Sequence, residues 1–364
     1  MKRKMLSMLM AAVMMVSLTA CGSSASTTAE SSGTEAAAET EESADSTEGS
    51  ASEATGETYK IGLVQFVDDA SLNQIREAVI AELKAKEADC GVTFEILESN
   101  GQADSTVLNQ IATDLIEDKV DLIIPIATPT AMIMQAATED NQIPVVFSAV
   151  TDPVGAGLVA SLDAPGANIT GTSDALNTNA VFDLMFAANP DIKKVGLLYN
   201  KSEDASKRAI EEAKAYAKAK GVTIIEKTGT TNDEVVLAAD ALVAEGVDAV
   251  FTPTDNTIMT AELSIFEKFI DAGIPHYAGA DSFALNGAFC GYGVNYVDLG
   301  TATADLAIDI LVNGADPAST PVVTMDNGIA TVNTETAEAI KLDYSMFADM
   351  CTELKETITA ENFE

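Results

Sequence analysis

Two stretches of this chain carry the same polar triplet. Residues 120–130 (VDLIIPIATPT) and 247–257 (VDAVFTPTDNT) each pass from an Asp through an apolar run into Thr-Pro-Thr, where a helical pattern begins. A short apolar run bounded by turn residues reads as a buried parallel strand. Its carboxyl end is where open α/β sheets place ligands. In the first copy, Thr128 and Thr130 open a helix, so its backbone N–H groups and their hydroxyls suit a carboxylate. Asp255, which only the second copy carries, and Asp281 suit an ammonium group. Together these residues match the two ends of a zwitterion, although singly each Thr or Asp also fits an ordinary helix cap.

The remaining strand tips carry similar groups. Gln65, Phe66, Ser148, Thr151 and Asp152 lie at tips in the first half, and Tyr199, Asn200, Thr254 and Asn256 at tips in the second. Short hydroxyls, amides and carboxylates orient a small polar molecule well and break bonds poorly. Phe66, Tyr199, Phe283 and Tyr292 either flank an apolar side group or belong to the core.

Catalytic readings find little support, and the chain reads as a binding protein and not an enzyme. The single His, His276, falls inside an apolar strand pattern after Pro275, which fits a core or wall role. The sequence has no G-x-S-x-G elbow, no Walker A motif and no dinucleotide fingerprint after its first strand. Asp255 and Asp281 could be paired for glycoside chemistry, but aromatic sugar platforms are missing. No CxxC spacing points to a metal, and no cofactor is expected.

The elements that must position these residues alternate. Strand patterns begin at Lys60, Val92, Asp121 and Ile143, with helical patterns between them over 72–88, 106–118 and 130–140. The same order returns from Lys194, including one helix expected over 256–272. Gly91 pairs with Gly221, Asp121 with Asp248 and Pro144 with Pro275, at offsets of 130, 127 and 131 residues. So long a period suits two similar lobes and not a solenoid. The expected fold is α/β, with two doubly wound parallel-sheet lobes joined by a hinge. Crossings between lobes are expected within 165–174, after 291–295 and near 325–331. The first lobe then comprises 59–173 plus 296–327, and the second 174–295 plus 328–364.

Ahead of the lobes the chain has a different character. Met1-Lys-Arg-Lys4 and a Met-rich apolar stretch form a signal sequence, too short to serve as a membrane span. It ends in Leu18-Thr-Ala-Cys21, which resembles the bacterial lipoprotein box. Domain 1–21 is thus read as a signal peptide with Cys21 lipidated, and 22–58, which lacks Lys and Arg, as a disordered acidic tether. The protein is expected to be exported and anchored by lipid alone, on the extracellular face or in the periplasm. The net charge of −37 disfavours nucleic acid and anionic lipid surfaces. Cys90, Cys290 and Cys351 remain, an odd number that leaves at least one free thiol.

Six motifs, in order, resemble one family. They are Gln65-Phe-Val67, Ala127-Thr-Pro-Thr-Ala131, Ala149-Val-Thr-Asp-Pro-Val154, Gly171-Thr-Ser-Asp174, Leu198-Tyr-Asn200 and Pro253-Thr-Asp-Asn-Thr257. The family is the substrate-binding lipoproteins of ABC importers that include tryptophan- and tyrosine-type amino acid binders. The resemblance runs from about Tyr59 to Ile340. It implies a type I periplasmic-binding fold, three hinge strands, and an amino-acid-like ligand, which the matching motifs extend to Thr172 and Ser173 as contacts. It also implies an ABC permease as partner to a monomer, with a signalling receptor as the competing partner class. Asp68-Asp69-Ala70 departs from the acidic-His-Pro sequence of many members.

Overall fold

The computed structural model describes residues 56–360. The signal sequence, Cys21 and the tether up to residue 55 lie outside them. Along the described chain run β1 (Thr58–Gln65), α1 (Ala70–Cys90), β2 (Thr93–Asn100), α2 (Ser105–Glu117), β3 (Leu122–Ile126), α3 (Thr128–Thr138), β4 (Val145–Phe147) and β5 (Ile169–Ser173). There follow α4 (Thr178–Ala188), β6 (Lys194–Tyr199), α5 (Asp204–Lys220), β7 (Thr223–Thr228), α6 (Asn232–Glu245), β8 (Ala249–Thr252), α7 (Asn256–Ala261) and α8 (Phe266–Asp271). The chain closes with β9 (His276–Ala278), α9 (Asp281–Leu285), β10 (Cys290–Gly293), α10 (Tyr296–Leu311), β11 (Val323–Thr324), β12 (Ile329–Asn333), α11 (Thr334–Ile340) and β13 (Glu353–Thr357). The first strand starts at Thr58, one residue inside the span assigned to the tether.

The strands form two sheets, ordered β11-β5-β4-β3-β1-β2 and β13-β12-β10-β9-β8-β6-β7. Within each, the order 2-1-3-4-5 recurs, the doubly wound arrangement whose ligands bind at the strands' carboxyl ends. All pairings in the first sheet are parallel. In the second, β10–β12 is antiparallel and the rest parallel. The α/β fold expected from the alternation is therefore present, with an antiparallel edge on one lobe.

The repeat has a local physical basis. Asp121, just before β3, accepts from the Lys60 N–H at 2.7 Å, and Asp248, just before β8, accepts from Lys193 and Lys194 N–H, each at 2.8 Å. Each Asp thus ties the start of its strand to the start of the neighbouring one. Gly91 and Gly221 end α1 and α5 with φ of 67° and 72°, a left-handed conformation that costs a residue with a Cβ about 1 kcal/mol.

One element departs from the periodicity. The helix expected over 256–272 is broken into α7, a 3₁₀ turn at Glu262–Ser264, and α8. At the break Glu262 turns into the core, where its Oε1 lies 2.9 Å from His276 Nδ1, while His276 Nε2 lies 2.8 Å from the Thr252 hydroxyl. His276 is thus a buried core residue, flanked by Phe269 and Phe283.

The chain passes between the sheets after β5, after β10 and after β11. The second passage sends α10 back against α1. There, a Cβ on Gly300 would fall 2.6 Å from the Ile75 carbonyl oxygen, so only glycine permits this approach. One apolar cluster joins Leu72, Val79 and Leu299 of the first lobe to Met259 and Phe283 of the second.

Candidate functional site

The strand tips of the two lobes face each other across a central cavity of about 20 Å³. Thr128, Thr151, Thr254, Asp255 and Asn256 line it, together with Ser71, Ala127, Asp174, Met259 and Tyr296. That volume holds about one water molecule or a group of similar size. A wider cavity of about 390 Å³ opens beside it and shares Thr128. Phe66, Leu108, Pro129, Met132 and Ile133 form an apolar wall from the first lobe, and Asn200, Ser202, Glu203, Asp204 and Thr257 a polar wall from the second.

The two Thr-Pro-Thr copies differ in how their helices begin. α3 starts after Ala127, with Pro129 in its first turn and no side chain capping it. The hydroxyls of Thr128 and Thr130 are buried without a hydrogen-bond partner. Uncapped N–H groups at a helix start, with the positive end of the helix dipole, make an anion site. Ala127 is held at φ 79°, ψ 152°, and Ala149 at φ 54°, and both face the central cavity. Backbone strain of this kind costs about 1–3 kcal/mol per residue and concentrates at binding sites.

α7, by contrast, is capped by Asp255. One oxygen of Asp255 accepts from Thr257 and Ile258 N–H at 3.1 and 3.0 Å. The other accepts from Asn200 N–H at 2.7 Å and the Ser206 hydroxyl at 2.6 Å. Four donors occupy the carboxylate, so its assignment to an ammonium group meets a side chain already committed to the fold. Asp174, which the motif reading quoted but did not assign, lines the same cavity and accepts from the Thr151 hydroxyl at 3.0 Å. Burial pushes its carboxyl up to about 6.

Other expected contacts have different partners. Gln65 donates to the Val67 carbonyl and to Asn73 at 2.6 and 2.7 Å, shaping the loop after β1. Ser148, Thr172 and Thr303 share a buried hydroxyl cluster that ties β4 and β5 to α10. The Ser173 hydroxyl donates to the Thr151 carbonyl at 3.4 Å, and Asp152 accepts from Gly155 N–H at 3.0 Å. The Tyr199 hydroxyl donates to Glu226 at 2.7 Å, and Tyr199 lines neither cavity. Thr130 lines neither cavity. Asp281 bonds across to the first lobe, accepting from the Ser71 hydroxyl at 2.5 Å and Gln74 at 3.1 Å. Of the expected set, Thr128, Thr151, Thr254, Asp255 and Asn256 meet at the central cavity, and Phe66 and Asn200 at the wider one.

Carboxyls crowd the closure. Asp69 caps α1 through Ser71 N–H at 2.9 Å, and burial and the Asp281 charge push it up to about 7. Glu203 is pushed up to about 8 by burial and by Asp255. Burial raises Asp255 as well, against the four donors that favour its charged form. Among the described residues no cluster of potential metal ligands occurs, and no helix is long and apolar enough to cross a membrane.

Comparison with known proteins follows the same lines. The family model for ABC transporter substrate binding proteins matches residues 60–346. A tyrosine-binding protein of Clostridioides difficile (strain R20291) is 35% identical over 282 residues, covering 78% of this chain and 81% of its own. The structure of an ABC domain from Streptococcus pneumoniae in complex with L-Trp is 31% identical, with a TM-score of 0.75 over 82% of this chain and all (100%) of that one. The ligand-free, open structure of a Clostridium difficile substrate-binding protein is 32% identical, with a TM-score of 0.64 over 83% of this chain and 100% of its own.

Proposed function

The chain belongs to the ABC transporter substrate-binding protein family, and from that premise we propose that it captures an aromatic amino acid between its lobes. Family membership makes its ligand a small molecule, its partner an ABC permease and its location extracytoplasmic. The observation that carries the amino acid reading is the presence of two unlike groups on one small cavity. One is the uncapped start of α3 with the partnerless Thr128 hydroxyl, and the other is the Asp174 carboxyl.

A carboxylate at Thr128 would meet uncapped N–H groups, and an ammonium beside it would fit the small cavity against Asp174, with Thr151 and Asp255 behind. The side group would run past Thr128 into the wider cavity, whose apolar wall suits a ring. The names of the C. difficile and S. pneumoniae relatives, which bind tyrosine and L-Trp, support the aromatic class. No turnover is part of this reading. Strand membership in the two sheets supports lobes of 59–173 with 296–327 and 174–295 with 328–364.

The test is a thermal-shift panel of amino acids, their amides and their deaminated analogues. Aromatic L-amino acids raise the melting temperature by mass action, and losing either charged end removes most of the shift. A panel with no shift for any amino acid overturns the reading. Cys21 is proposed as the lipidation site that anchors a monomer. Fatty-acid labelling of the wild type and of Cys21→Ala tests this, and equal labelling of both refutes it.

A further inference from the structure

We propose that Glu203 is a specificity-determining residue, selecting an aromatic amino acid whose ring carries a hydroxyl over one with a bare ring. The inference rests on the reading that the ligand's carboxylate sits at Thr128. It stands on the wider cavity, which joins the central one at that residue.

A ring running outward from Thr128 passes between Phe66, Met132 and Ile133 on one side and the second lobe's polar wall on the other. Most polar groups of that wall are committed. Asn200 donates to the Thr257 hydroxyl at 2.8 Å and accepts from Ser202 N–H at 2.9 Å. Asp204 is paired with Lys207.

Glu203 differs. It stands at the start of α5 yet makes no capping bond there, and its carboxyl reaches instead to the first turn of α7. One oxygen accepts from the Asn256 side-chain amide and the other from the Thr257 hydroxyl at 3.4 Å, a weak contact, with the Asn256 and Thr257 backbone N–H groups also acting on the carboxyl. The buried wall therefore retains one carboxyl oxygen with spare hydrogen-bonding capacity. Burial and the Asp255 charge push the Glu203 carboxyl up to about 8, which favours a protonated group able to donate to a phenol oxygen as well as accept. A bare ring makes neither bond.

Titration calorimetry at pH 7 with L-tyrosine, L-phenylalanine and 4-methyl-L-phenylalanine tests this. One hydrogen bond of this kind is worth up to about tenfold in affinity, so L-tyrosine is expected to bind about tenfold tighter than both others. The methyl analogue matches tyrosine in size and isolates the hydroxyl. In Glu203→Leu, the preference for L-tyrosine over both other ligands is expected to fall to near onefold. Equal affinities in the wild type overturn the inference and leave the amino acid reading standing. So does a preference that survives in the variant, or an equal loss for all three ligands, which would mark Glu203 as purely structural. Absence of binding by every amino acid overturns both. The wild-type comparison decides the matter even if the variant fails to fold.

Discussion

The Ser71 hydroxyl on α1 donates to Asp281 on α9 at 2.5 Å, and the same oxygen of Ser71 accepts from Ser282 N–H at 3.2 Å. The two residues are 210 apart in sequence and lie on opposite lobes, so the pair ties the lobes together. Gln74 adds a second bond to Asp281, and Arg208 of α5 reaches the Thr151 carbonyl at 3.4 Å.

Removing that clasp should loosen closure without unfolding either lobe. Ser71→Ala is expected to enlarge the ligand-free radius of gyration measured by X-ray scattering. A bond worth about 1 kcal/mol shifts the closed population several-fold, and ligand affinity falls by the same factor. An unchanged radius and affinity would remove the clasp from the mechanism.

Asp255→Ala should cost stability whether or not ligand is present. It removes a helix cap, worth about 1 kcal/mol, and leaves the Asn200 N–H and Ser206 hydroxyl without their acceptor, at about 1–3 kcal/mol. Denaturant unfolding should show a lower midpoint with an unchanged slope. The four donors on a buried carboxylate are the reason.

Ala127→Gly should stabilise the protein. The backbone at φ 79°, ψ 152° lies in a region that glycine enters freely and alanine does not. Relief of about 1 kcal/mol corresponds to a rise of about 2 °C in melting temperature for a chain of this size. A fall in melting temperature would mean that the alanine methyl contributes more by packing than the strain costs.

Buried carboxyls set the pH response. Asp174 and Asp69 are pushed up to about 6 and about 7. Each therefore holds a proton in the folded protein over a window where the unfolded chain has lost it. Their contribution to stability is complete below the ordinary carboxylate range and is lost as pH rises through about 6 and about 7. The melting temperature of the ligand-free protein should fall between pH 5 and pH 8, and Asp69→Asn should flatten the upper part of that fall. Ligand affinity should run the other way near pH 6, because only ionised Asp174 pairs with an ammonium group. In Asp174→Asn that rise disappears; if it persists, another group receives the ammonium.

Much of the architecture was legible along the chain. Apolar runs, Gly91 and Gly221 at helix ends, and Asp121 and Asp248 before equivalent strands are local signals with local causes. They gave the α/β alternation and the internal repeat. The helix expected over 256–272 is broken where a buried Glu262–His276 pair interrupts a periodicity that composition alone would continue.

The strand tips were found because a strand's end is a local event. Which tips share a cavity is not. Ser148, Thr172 and Tyr199 sit at tips with suitable chemistry, yet their hydroxyls bond to Thr303 and Glu226, partners that only packing supplies. The same holds for the two Thr-Pro-Thr copies. Both carry the triplet, but only the second is followed by Asp255, whose carboxylate closes that helix start while Ala127 leaves the first open. Tertiary structure then set Thr128, Asp174 and Glu203 around adjoining cavities, because lobe closure joins residues far apart in the chain whose types carry no local trace of one another.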